Sequence, residues 1–200
     1  KVAPFEALAL RDLPARPCRA HPYLALPVRR MRVPMRDFGT QEIVYRVLGS
    51  GPPLLLVHGL MTSGYSFRYV IEPLARDFTV YVPDLVGMGE SPKPDAPYDA
   101  PALARSIEDF VRALDVGPVH VLGNSLGGYL ALHLALEAPE LVRSLLVLHA
   151  PFVVLKRLRL LHALMRLPVA ERILRAAVHA HPRRFVHRNV HYFDETLKSL

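Results

Sequence analysis

Two hundred residues, 51% of them hydrophobic, can bury one sizeable core, so one main domain with an appendage is expected. No run of 18 apolar residues occurs, which excludes a transmembrane helix; the single cysteine, Cys18, excludes an internal disulfide and points to a reducing compartment, the cytoplasm. The net charge of +7 divides as +6 over residues 1–36, −6 over 37–150 and +7 over 151–200, so the basic excess flanks the central region and gives no reason to expect nucleic-acid binding by it.

Residues 1–30 carry Pro4, Pro14, Pro17, Pro22 and Pro27, and regular structure there can only be short. They read as an N-terminal arm lying on the domain with a helical turn or two, or as a disordered tail. From residue 31 the pattern sharpens. Residues 31–33 and 41–48 read as two antiparallel strands joined by a turn at 37–40, and the glycines and prolines of 49–53 end the second. Residues 54–57 form a continuous apolar strand running into His58-Gly59-Leu60-Met61. A helix is expected over 65–76, which Pro73 must kink or end. Residues 78–82 are the next buried strand and lead into Pro83-Asp84-Leu85-Val86-Gly87-Met88-Gly89-Glu90-Ser91. After a proline-rich loop, apolar residues at 103, 107, 110, 111 and 114 mark a helix over about 101–114.

Residues 119–136 read V-H-V-L-G-N-S-L-G-G-Y-L-A-L-H-L-A-L, a buried strand followed by helix formers. Between them lies Gly123-Asn124-Ser125-Leu126-Gly127, a G-x-S-x-G pattern whose glycines let a strand turn sharply into a helix around a strained serine. That turn lifts Ser125 Oγ clear of the sheet, close to a helix N-terminus that favours developing negative charge. A further buried strand is expected at 145–148. Strands alternating with helices define an α/β fold, a mostly parallel sheet with helices on both faces.

Beyond Pro151 the chain reads as helical and basic, broken at Pro168 and Pro182, and residues 151–200 are expected to form a helical lid. Leucines at 155, 158, 161 and 164 interleave with Lys156, Arg157, Arg159 and Arg166. This basic amphipathic pattern suits contact with a membrane surface or an anionic amphiphile, or a cover over a pocket with its arginines in water.

Taken together, His58-Gly59, Asp84-x-x-Gly87-x-Gly89-x-Ser91 and the elbow at 123–128 resemble the α/β-hydrolase fold family, in the family's order and each after a predicted strand. The resemblance covers about residues 31–150. It implies that Ser125 is a nucleophile forming an acyl-enzyme, with the backbone N–H groups of Leu126 and Leu60 as oxyanion donors and Met61 as the fallback for the second. Because residue 125 is serine, the chain resembles esterases, thioesterases, lipases and carbon–carbon bond hydrolases; related dehalogenases and epoxide hydrolases use aspartate there. Asn124 is compatible with the carbon–carbon hydrolases. Gly123 and Gly127 shape the turn, His58 holds the oxyanion loop, and Asp84 fixes a glycine-rich loop through backbone hydrogen bonds.

The family pattern places an acid and then a histidine after the serine, and neither is identifiable here. His133 and His149 read as structural, and the later histidines belong to the lid. An unassisted serine hydroxyl is a poor nucleophile at neutral pH, so the catalytic machinery in these residues is incomplete. A serine hydrolase acting on an apolar acyl substrate, without cofactor or metal, is the expected function. A binding or regulatory protein on a hydrolase scaffold is the alternative from another class. The uncovered sheet edge leads to the expectation of a longer chain, a cleaved piece, or a partner copy completing the core.

Overall fold

The computed structural model describes residues 21–150; the arm as far as residue 20 and the lid expected over 151–200 lie outside the described residues. Six strands form one sheet: β1 (Val28–Met35), β2 (Gly39–Leu48), β3 (Pro53–Val57), β4 (Thr79–Pro83), β5 (Val119–Asn124) and β6 (Val142–Leu148). Three helices accompany them: α1 (Ile71–Leu74), α2 (Ala100–Leu114) and α3 (Leu126–Glu137). β1 begins at Val28, ahead of the expected residue 31, because its backbone pairs antiparallel with β2 from Val28 opposite Arg46 to Met35 opposite Gly39.

The strand order is β1-β2-β4-β3-β5-β6. β2 meets β4 antiparallel, while β4, β3, β5 and β6 run parallel. The chain leaves β3 for β4 on one side and then crosses to β5 on the other. The crevice beyond the carboxyl ends of β3 and β5 is therefore a topological switch point, where open α/β sheets bind their ligands.

Alternation along β3 divides the core, since successive strand side chains point to opposite faces. Leu55 and Val57 join the larger cluster with Phe110 and Ile107 of α2 and Leu130 and Leu134 of α3. Leu54 and Leu56 join the smaller one with Phe67, Ile71, Val80, Val82 and Tyr23. Helices thus cover both faces, as the alternating pattern requires. α2 starts where Asp99 Oδ1 accepts the Ala102 N–H at 2.8 Å, an N-cap that satisfies one of the helix's free donors. The β1–β2 turn is tied to α2 by Arg36, whose N–H and Nε both reach Asp109 at 3.0 and 2.9 Å.

Two expectations are corrected. The helix read over 65–76 is a 3₁₀ turn, Gly64–Phe67, and the four-residue α1. Pro73 lacks an N–H to donate to the preceding turn and its ring crowds the carbonyl four residues back, so it fits only in a helix's first turn. The strand read as buried at 145–148 is the outer strand of the sheet among the described residues, with Leu146 and Leu148 54% and 39% exposed. A short apolar run cannot tell a two-sided central strand from one covered on a single face.

Candidate active site

The loop after β3 and the turn after β5 meet at the switch point. Ser125 joins β5 to α3 with φ +55° and ψ −122°, a conformation costly for a residue with a β-carbon. Its N–H donates to the Leu148 carbonyl at 2.8 Å, anchoring the turn to the end of β6. The turn is tight enough to require its glycines. A β-carbon at Gly127 would lie 2.0 Å from the Val57 carbonyl oxygen, and one at Gly123 would lie 2.3 Å from the Gly127 carbonyl oxygen.

Gly59 brings the β3 loop against the serine. A β-carbon there would stand 3.3 Å from Ser125 Cβ and 3.7 Å from its Oγ. Leu60 and Met61 follow, 60% and 65% exposed, and Met61 has φ +56°. Four non-glycine residues among those described have positive φ. Asp115 caps α2, and the other three, Met61, Ser125 and His149, follow β3, β5 and β6. Backbone strain therefore gathers at one end of three adjacent strands, the pattern expected where a surrounding structure enforces a functional geometry. Leu126 opens α3, so its N–H has no partner within the helix. Neither it nor the Leu60 N–H bonds another group among the described residues.

His58 is fully buried and committed to structure. Its Nε2 accepts the Leu85 N–H at 3.0 Å, which places the proton on Nδ1, and Nδ1 donates to the Gly59 carbonyl at 2.8 Å. The Thr62 hydroxyl donates to the same carbonyl at 2.8 Å. Burial pushes the imidazole below its ordinary value, opposed by the Gly59 bond and the Asp84 charge. The ring is neutral, with both nitrogens occupied.

Asp84 is buried, and its carboxylate links two loops. Oδ1 accepts the Gly64 N–H and Oδ2 the Glu90 N–H, each at 2.7 Å. Gly89 allows this closeness, since a β-carbon there would lie 2.2 Å from Oδ2. The Ser91 hydroxyl donates to the Asp84 carbonyl at 2.7 Å and accepts the Val44 N–H at 3.0 Å. Sequence reasoning missed Thr62, Tyr23 and Arg46. A signal existed for Arg46, a charge set within the apolar run Ile43-Val44-Tyr45-Arg46-Val47-Leu48; Tyr23 sits among prolines and gave none.

Of the remaining described histidines, His149 follows Leu148, the residue whose carbonyl accepts the Ser125 N–H. His120 Nδ1 is 2.7 Å from the Ser144 hydroxyl, and His133 stacks on Tyr129 and lines a groove of about 400 Å³ with Arg36, Arg105 and Glu108. Among the described residues no cluster of three or more His, Cys, Asp or Glu side chains is placed to hold a metal, and no helix is long and apolar enough to cross a membrane.

The model of the α/β hydrolase fold family matches residues 52–197, and the chain belongs to that family. A soluble epoxide hydrolase of Corynebacterium sp. (strain C12) is 40% identical over 104 residues, 52% of this chain and 36% of that protein. A 2-hydroxy-6-oxo-6-(2'-aminophenyl)hexa-2,4-dienoic acid hydrolase of Metapseudomonas resinovorans is 35% identical over 114 residues, 55% of this chain and 39% of that one. Among solved structures, a membrane phospholipase A described as a bacterial virulence factor superposes with a TM-score of 0.62 at 32% identity, covering 68% of this chain and 44% of that one. The chain thus spans less than two-fifths of the length of these curated relatives.

Proposed function

We propose that the protein is a serine hydrolase that cleaves an ester, thioester or related acyl substrate through an acyl-enzyme on Ser125. The observation that carries this reading is the elbow: a strained serine between β5 and α3, its Oγ facing the Gly59 backbone. Oγ bonds to the substrate's carbonyl carbon, and the carbonyl oxygen takes the negative charge. The Leu126 N–H at the start of α3 and the Leu60 N–H, next along from the Gly59–Ser125 contact, receive that charge. Met61, one residue further on, is the fallback donor. Collapse of the adduct expels the alcohol or thiol, and water then releases the acid.

A base must take the Oγ proton, and His58 cannot, since its acceptor nitrogen already holds the Leu85 N–H. The exposed apolar side chains of Leu60 and Met61, next along the chain from Gly59, favour an apolar acyl group. Cleavage of a carbon–carbon bond is a second reading, favoured by Asn124 and by the Metapseudomonas relative. Both use Ser125 against an acyl carbon. A fluorophosphonate probe is expected to add to Ser125 and to leave Ser125→Ala unmodified, read by intact mass. A complete, active form of the protein that stays unlabelled sinks the serine hydrolase reading. Turnover of p-nitrophenyl esters beside a 2-hydroxy-6-oxo-dienoic acid separates the two substrate classes.

A further inference from the structure

The loop that carries Leu60 is fastened at two points. At its start, His58 holds Leu85 and Gly59; at its end, the Gly64 N–H is held by Asp84. The second fastening has an additional part, contributed by a segment ahead of β1 that the family match does not include. Pro22–Ala25 forms a 3₁₀ turn, capped by His21 through the Tyr23 N–H at 3.1 Å. The turn drives Tyr23 inward until it is 2% exposed. There the end of its ring lies close to Gly64: a β-carbon on Gly64 would meet Tyr23 Oη at 2.5 Å, Val82 Cγ1 at 2.8 Å and Asp84 Oδ1 at 3.3 Å. The Tyr23 ring packs edge-on against Tyr65 with centroids 5.5 Å apart. His21 packs likewise on Tyr69 at 4.9 Å.

Arg46 closes the arrangement from the other side. Its guanidinium carbon stands 4.7 Å from the Tyr23 ring centroid, and its terminal nitrogen donates to Glu90 Oε1 at 2.8 Å. The Glu90 N–H in turn donates to Asp84 Oδ2. Tyr23, Gly64, Asp84, Glu90 and Arg46 thus form a closed ring of contacts drawn from four separate stretches of chain. Two of its polar atoms, Tyr23 Oη and Arg46 Nε, are buried without a hydrogen-bond partner among the described residues. Leaving buried donors unpaired is unfavourable. That cost is offset by packing and by one ion pair: the Tyr23 ring meets the Arg46 guanidinium and Tyr65, and Arg46 is bonded to Glu90.

We infer that Tyr23 and Arg46 are positioning residues that brace the Gly64–Asp84 contact and thereby set where the Leu60 N–H points. The inference deepens the hydrolase reading and rests on it for its catalytic consequence, while its structural half stands alone. The ring of Tyr23 does the bracing. Tyr23→Phe keeps the ring and should behave as wild type, whereas Tyr23→Leu removes the ring over which Arg46 lies and with which Tyr65 packs edge-on. Arg46→Met keeps the length but loses the cation over the ring and the link to Glu90.

The experiment is amide hydrogen exchange at Gly64 and Glu90, the two donors to Asp84, with melting temperatures measured beside it. Phe110→Leu serves as a control that weakens the opposite core cluster. At matched intervals below melting, exchange at both amides should quicken about tenfold in Tyr23→Leu and Arg46→Met and stay at the wild-type rate in Tyr23→Phe and Phe110→Leu. Unchanged exchange in the first two variants, or equal quickening in the control, overturns the brace. Fluorophosphonate labelling of Ser125 supplies the catalytic readout, expected to slow about tenfold in Tyr23→Leu and Arg46→Met with saturation by probe unchanged. Faster exchange without slower labelling also overturns the positioning role. A complete, active wild type that does not label overturns the hydrolase reading instead, and the brace is then judged on exchange alone.

Discussion

At Ser125 two small effects oppose each other, and their sizes decide what substitution does. Its φ of +55° with ψ of −122° costs a residue with a β-carbon on the order of 1–3 kcal/mol. Glycine removes that strain but gives up about 0.5–1 kcal/mol through its freer unfolded chain. Ser125→Gly should therefore be more stable than Ser125→Ala by about 1 kcal/mol, and neither should label with a fluorophosphonate. Paired denaturant melts check this, and equal midpoints would mean that the serine backbone is relaxed. His58 makes a prediction with a definite sign. Burial, opposed by the Gly59 bond and by Asp84, holds its imidazole below the ordinary value of 6.5. The unfolded chain takes up the proton first as pH falls through about 6.5, so the stability is complete above that point and is lost below it, toward the folded value. Bonds from Arg105 and Arg112 hold Asp37 and Glu140 below the ordinary carboxylate range, so their contributions fade only at lower pH. A melting temperature that falls between pH 7 and 5 is expected, and a flat profile there contradicts the neutral, doubly bonded ring.

At the scale of elements, the elbow is where strand and helix come closest. Because a β-carbon at Gly127 would meet the Val57 carbonyl oxygen at 2.0 Å, backbone against backbone, no side-chain rotation relieves it. Gly127→Ala should cost about 3 kcal/mol, and Gly127→Val should fail to fold. A Gly127→Ala protein that melts like wild type would refute the close approach of α3 to β3. This junction was legible in the sequence because its causes are local: an apolar strand run, two glycines four positions apart around Asn124, Ser125 and Leu126, and helix formers after them. The apolar run at 54–57 and the helical spacing of residues 103–114 are legible for the same reason. What stayed hidden depends on contacts distant in sequence. Tyr23 is buried because Gly64, Val82 and Arg46 come to meet it, and nothing within the proline-rich stretch around it says so. The helix expected over 65–76 breaks into the Gly64–Phe67 turn and the short α1, because Pro73 fits only in a helix's first turn.

Across the whole sheet, the two outer strands among the described residues are protected differently. β1 carries Arg29, Arg30, Arg32 and Pro34, the charges and proline that discourage another strand from pairing with an edge. β6 reads Val-Arg-Ser-Leu-Leu-Val-Leu, with one charge near its start, and Leu146 and Leu148 stand out into solvent. An exposed apolar strand of that kind favours association with other chains. Leu146, at 54% exposure, makes little of the core, so Leu146→Lys should change folding stability by no more than about 0.5 kcal/mol. The same change puts a solvated charge on the apolar face and should reduce any self-association with rising protein concentration. Sedimentation velocity over a concentration series, with thermal melts on the same samples, reads both quantities. A large loss of stability in Leu146→Lys would show that this face of β6 is covered in the working protein. Undiminished association with an unchanged melt would show that copies meet through some other surface.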